Sequence, residues 1–103
     1  MSRILIVDDE PTICETFSIA LQACGHEVMT VGDGHEALKL LEHESFDLII
    51  TDLQMPHCSG IGLLESIRKT NPDARVILMS SHVNGSEERF RAQGFIDVLP
   101  KPV

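Results

Sequence analysis

Three consecutive acids, Asp8, Asp9 and Glu10, follow directly on the apolar run Ile4 to Val7. Another acid, Asp52, follows the run FDLIIT, Ser80 and Ser81 follow RVILM, and Lys101 stands between two prolines. Each residue alone has an ordinary explanation. Asp8 and Asp9 could cap a helix opened by Pro11, and Asp52 could begin a turn. The serines could be small packing residues, and a terminal lysine is usually solvated. Together they form a set suited to one kind of chemistry. Clustered carboxylates are costly unless a cation joins them or a proton is taken up. An oxygen-only donor set with few carboxylates suits Mg²⁺, with water or phosphate completing its octahedron. A hydroxyl and an ammonium nearby could then face an anionic group.

The elements around these residues decide whether they can meet. Arg3 to Val7 is short, apolar and β-branched, as expected of a strand buried on both faces. Pro11 suits the first turn of a helix in which Ile13, Phe17, Ala20, Leu21 and Cys24 recur at helical spacing, and Gly25 stops it. HEVMTV, from His26 to Val31, reads as a second strand. Asp33 caps a helix carrying Ala37, Leu38 and Leu41. Phe46 to Thr51 reads as a third strand, LQMPHCSG as a loop, and Ile61, Leu64 and Ile67 as the inner face of a third helix broken at Asn71-Pro72. Arg75 to Ser80 is a fourth strand. A short helix to about Gln93 stops at Gly94, and Phe95 to Leu99 is a fifth strand. Strands alternating with helices require crossovers, hence a doubly wound parallel α/β sheet with helices on both faces. In such a sheet Asp8, Asp9, Asp52, Ser80 and Lys101 all reach the carboxyl edge, where ligands bind.

Composition narrows the function classes. The 103 residues suit one domain, and 43% apolar residues suffice for a core. A net charge of −8 argues against direct binding of nucleic acid or anionic membrane. No apolar run approaches membrane-spanning length. Three cysteines, Cys14, Cys24 and Cys58, without a CxxC or a signal peptide point to a reducing cytoplasm. No GxxxxGK is present, and Gly60-Ile61-Gly62 lacks the rest of a dinucleotide fingerprint.

The segments ILIVDDEP, TDLQMPHCSG, ILMSS and DVLPKP, in that order and spread over essentially the whole chain, resemble the receiver domain of bacterial two-component response regulators. The resemblance implies a flavodoxin-like five-stranded parallel sheet of order 2-1-3-4-5, filling residues 1–103. With the chain ending at Val103, the usual fifth helix is expected to be absent, leaving apolar surface of strands one and five bare. It implies that Asp52 is the phosphoacceptor, taking a phosphoryl group from a histidine kinase or a phosphotransfer protein. Mg²⁺, or Mn²⁺ in its place, would be held by Asp8, Asp9, Asp52 and the backbone carbonyl of Gln54. Ser80 and Lys101 would contact phosphoryl oxygens, and Pro102 would permit the cis peptide that aims the lysine. Pro56 would shape the loop after Asp52, Gly60 the turn into the third helix, and Gln54 and His82 the lifetime of the phosphoryl group.

One departure concerns output. The family's switch aromatic, three residues before the lysine, is Val98 here. Phe95, at odd spacing from it, is expected on the opposite face of the strand. Phosphorylation is therefore expected to survive with altered coupling to an output domain in a longer parent chain or to a homodimer. The expected activity is self-phosphorylation and dephosphorylation rather than metabolic turnover. Two other classes compete. A haloacid-dehalogenase-type enzyme would want a second Asp where Gln54 stands. A pseudo-receiver would keep the fold as a binding module without phosphorylation, against the intact set of acids, serine and lysine.

Overall fold

The computed structural model describes residues 2–52, 54–55, 58–80 and 87–100, without the side chains of 54, 55, 58, 59, 80, 87 and 100. The five expected strands are present: β1 (Arg3–Val7), β2 (Glu27–Val31), β3 (Leu48–Asp52), β6 (Val76–Ser80) and β7 (Asp97–Pro100). They pair in parallel in the order β2-β1-β3-β6-β7, the doubly wound 2-1-3-4-5 arrangement. Helices α1 (Pro11–Ala23), α2 (Gly34–Leu41), α3 (Gly60–Thr70) and α4 (Glu87–Gln93) occupy the crossovers. A two-rung antiparallel ribbon, β4 (Gln54–Met55) with β5 (Cys58–Ser59), lies where a loop was expected. Two residues per strand are too few for an alternation pattern to be legible.

Alternation along β1 divides the core. Leu5 and Val7 face α2, α3 and α4 in one cluster, whereas Ile4 and Ile6 face α1 in the other. Strand one is therefore buried rather than bare, with Ile4 at 2% and Ile6 at 0% exposure. On α1 the buried stripe is Ile13 and Cys14, with Phe17 and Leu21 packed against it. Ala20 and Cys24, expected inside, are exposed. Burial of Cys14 rotates the stripe so that Ala20 falls at its margin, and Cys24 is already the C-cap.

Local signals set the helix ends. Asp33 caps α2, its Oδ1 accepting from the Glu36 amide at 2.8 Å. Gly25 and Gly94 take φ values of 88° and 120°, in the region that disfavours a Cβ. After α1, the amides of Gly25 and His26 donate back to Gln22 and Leu21, the pattern of a glycine-terminated helix. The Arg68 guanidinium donates to the carbonyls of Pro72 and Gly94, tying the end of α3 to the turn after α4. At the amino end of β1, Arg3 lies over the Phe46 ring and pairs with Glu27 and Glu44.

Phe95 corrects an expectation. It precedes β7 and joins the same core cluster as Val98, with its ring edge-on to Phe90 at 6.3 Å. The bend before Asp97 breaks the two-residue alternation on which the opposite-face argument relied.

Asp97 accepts from Arg91 at 2.9 Å and from the Val98 amide at 2.8 Å. The Arg91 side chain, then the Val98 N–H, hold its carboxyl below the ordinary 3.8. A lowered folded-state pKa stabilises the fold above 3.8, and this contribution is lost as pH falls through the folded value. In thermal melts, Asp97→Asn should be slightly less stable than the parent at neutral pH, the pair being exposed. The gap should close below pH 3.8.

Candidate functional site

Register brings the acids together. Val7 is level with Thr51, so Asp8 leaves β1 beside Asp52, and Asp52 in turn pairs with Met79. One residue further, Ser80 is level with Pro100. Parallel pairing without offset thus delivers one chemistry-bearing position from each central strand to the same edge.

One oxygen from each of Asp8, Asp9, Glu10 and Asp52 lies within 4.8 Å of the others. Asp8 is 2% and Asp52 6% exposed, while Asp9 and Glu10 face solvent. The main chain holds this turn. The Asp8 amide donates to Val31 of β2 at 3.1 Å, and the Glu10 amide donates to Asp8 Oδ1 at 2.9 Å. The amides of Ile13 and Cys14 both donate to the Glu10 carbonyl.

The helix-capping explanation covers only part of this geometry. Glu10 is the N-cap of α1 and makes no side-chain capping bond, and Pro11 follows in the first turn. Asp8 Oδ1 accepts from the N-cap amide of Glu10, and one oxygen of each acid still lies within 4.8 Å of the others. Four carboxyl groups gathered at one point, two of them buried, form a donor set suited to a hard divalent cation. All four donors are oxygens, and a small all-oxygen set fits Mg²⁺ better than a soft metal.

A cleft of about 390 Å³ adjoins the cluster, bounded by Asp8, Asp9, Cys14, Glu15, Val31 and Glu36. It lies between the turns after β1 and β2, to one side of Asp52.

The structure therefore brings together Asp8, Asp9 and Asp52, and it adds Glu10, to which the sequence reading assigned no role. The signal was its place in the same acidic run. Gln54 lies in β4, two residues past Asp52, and Gly60 is the buried first residue of α3. Val98 is 8% exposed and level with Leu78 on β6. Ser80 ends β6, with its side chain outside the description. Pro56, Ser81, His82, Lys101 and Pro102 lie outside the described residues. Among the described residues no helix is long and apolar enough to cross a membrane.

Comparison with known proteins agrees with this geometry. A response regulator receiver protein of Anaeromyxobacter sp. (strain Fw109-5) is 38% identical, over 100% of this chain and 44% of its own length. The transcriptional regulatory protein GlrR of Escherichia coli (strain K12) is 33% identical, over 99% of this chain and 23% of its own. The chain thus spans less than half the length of these curated relatives. The response regulator TrrA of Thermotoga maritima, solved in complex with Mg²⁺-BeF, superposes with a TM-score of 0.88 at 36% identity, covering 99% of this chain and 88% of that one. TrrA has also been solved in complex with the histidine kinase ThkA, and there the TM-score is 0.87. Residues 4–103 match the family model described as the response regulator receiver domain, and the chain belongs to that family.

Proposed function

We propose that this chain accepts a phosphoryl group on Asp52 from the phosphohistidine of a sensor kinase or a phosphotransfer protein. The observation that carries the reading is the convergence of Asp8, Asp9, Glu10 and Asp52 within 4.8 Å at the carboxyl edge of the sheet. Asp8, Asp9 and Asp52, with the Gln54 carbonyl, would hold Mg²⁺. When bound, the ion supplies positive charge that offsets the clustered carboxylates and the phosphoryl oxygens.

The chain's own residues do the rest. An Asp52 carboxylate oxygen attacks phosphorus in line. The new P–O bond forms as the P–N bond to the donor imidazole breaks, and the leaving nitrogen keeps the electron pair and takes a proton. The product is an acyl phosphate on Asp52. Low exposure of Asp52 limits the access of water to it. The Ser80 hydroxyl and the Lys101 ammonium would contact the phosphoryl oxygens, and the backbone register of Ser80 with Pro100 supports that placement. His82 and Gln54 would set the lifetime of the acyl phosphate, and Val98 the coupling to output. The kinase complex of TrrA supports a kinase as donor, and the longer relatives support an output domain in a parent chain. Neither nucleic acid nor membrane is a partner in this reading.

Intact mass after incubation with a small acyl-phosphate donor tests the proposal. One phosphoryl group should be gained with Mg²⁺ and none after chelation. A folded chain that gains none in either condition would instead be a receiver fold acting as a binding module.

A further inference from the structure

We infer that Cys14 is a positioning residue for the acidic turn, holding Asp8 and Asp9 in the arrangement that receives a divalent cation. The inference rests on the phosphoacceptor reading above. Cys14 lies at the start of the second turn of α1, 8% exposed, against the sheet face that carries Ile4, Ile6 and Ile50. Its thiol donates to the Asp8 carbonyl, with Sγ 3.4 Å from the oxygen. Its amide donates to the Glu10 carbonyl at 3.2 Å. One residue therefore grips the turn at both ends, through its side chain at Asp8 and its main chain at Glu10.

The grip matters because of what the turn carries. Carboxylates packed this closely repel one another, and repulsion favours conformations in which they spread apart. A site that must be drawn together by its ligand binds more weakly, since part of the binding free energy goes into ordering it. The Asp8 amide is anchored to β2 and the Glu10 amide to Asp8 Oδ1. The thiol adds an anchor from α1. Cys14 also bounds the cleft beside Asp8 and Asp9, so it lies directly behind the turn.

A small apolar packing role is the competing account, since buried cysteine often behaves as a compact hydrophobe. The two accounts predict opposite rankings of two variants. Cys14→Ser keeps a donor and loses apolar character, whereas Cys14→Ala keeps apolar character and loses the donor. Two measurements on labelled protein separate them: Mg²⁺ titration followed at the Asp9 and Glu10 amides, and hydrogen exchange of those amides without metal. Cys14→Ala should raise the Mg²⁺ dissociation constant and the Glu10 exchange rate by about three- to tenfold, the range of one modest hydrogen bond. Cys14→Ser should stay within about twofold of the parent in both. Parent-like behaviour of Cys14→Ala, or a loss in Cys14→Ser as large as in Cys14→Ala, would overturn the inference. Should the parent bind no Mg²⁺, the phosphoacceptor reading fails, while the exchange rates still decide the role of Cys14.

Discussion

Asp52→Asn should lower acyl-phosphate labelling by at least about 10³-fold, the scale on which removing a nucleophile silences covalent catalysis. Asparagine matches aspartate in shape and leaves the β3–β6 register undisturbed, so the fold should survive. The amide nitrogen replaces a carboxylate oxygen, and the neutral side chain can neither attack phosphorus nor carry the acyl phosphate. Intact mass resolves the outcome directly, and a circular dichroism melt run beside it shows whether the variant is folded. Labelling of folded Asp52→Asn at the parental level would place the phosphoacceptor elsewhere.

Asp8→Asn should abolish most of the thermal stabilisation that Mg²⁺ gives the parent. Asp8 is buried, with carboxylates from three other residues within 4.8 Å. Asn keeps the oxygen that accepts from the Glu10 amide, so the turn retains that bond. At about ten times its dissociation constant, the ion stabilises the parent by about 1.4 kcal/mol, or roughly 6–11 °C. The variant should show little of this gain. Melts of both proteins, with Mg²⁺ and with chelator, give all four values. An equal Mg²⁺-induced shift in the two would remove Asp8 from the site.

The two variants probe different properties of one edge. Asp52 is tested as a nucleophile, and Asp8 as one of the oxygen donors to a bound cation. The same edge receives the β1, β3 and β6 ends because parallel strands in matched register all terminate there.

Much of this was legible in the residues. A buried parallel strand announces itself as a short β-branched run, so Ile4 to Val7, Ile49 to Thr51 and Val76 to Met79 could be read without tertiary information. Gly25, Gly94 and Asp33 act within a few residues of themselves, and their helix ends lie where local chemistry places them. Alternation of strands and helices then implies a parallel sheet, and a parallel sheet implies that Asp8 and Asp52 share an edge. The segments ILIVDDEP, TDLQMPHCSG, ILMSS and DVLPKP carry the resemblance to the family without tertiary information.

Other features depend on residues far apart in the chain. The side of α1 that is buried follows from how the helix lies on β1 and β3, so Cys14 enters the core and Ala20 leaves it. Phe95 joins Val98 because the chain bends after Gly94 and the ring finds Phe90. The β4–β5 ribbon is too short to leave a periodic trace. Glu10 and Cys14 gain their places at the site only once α1 folds back beneath the strand end, setting the thiol against the Asp8 carbonyl. Periodicity and capping are local and determine the elements, which is why the amino-acid sequence alone specified the fold and the edge where the acids lie. Which atoms meet at that edge depends on helix rotation and chain bends, set by the packing of the whole core, and so was decided only in three dimensions.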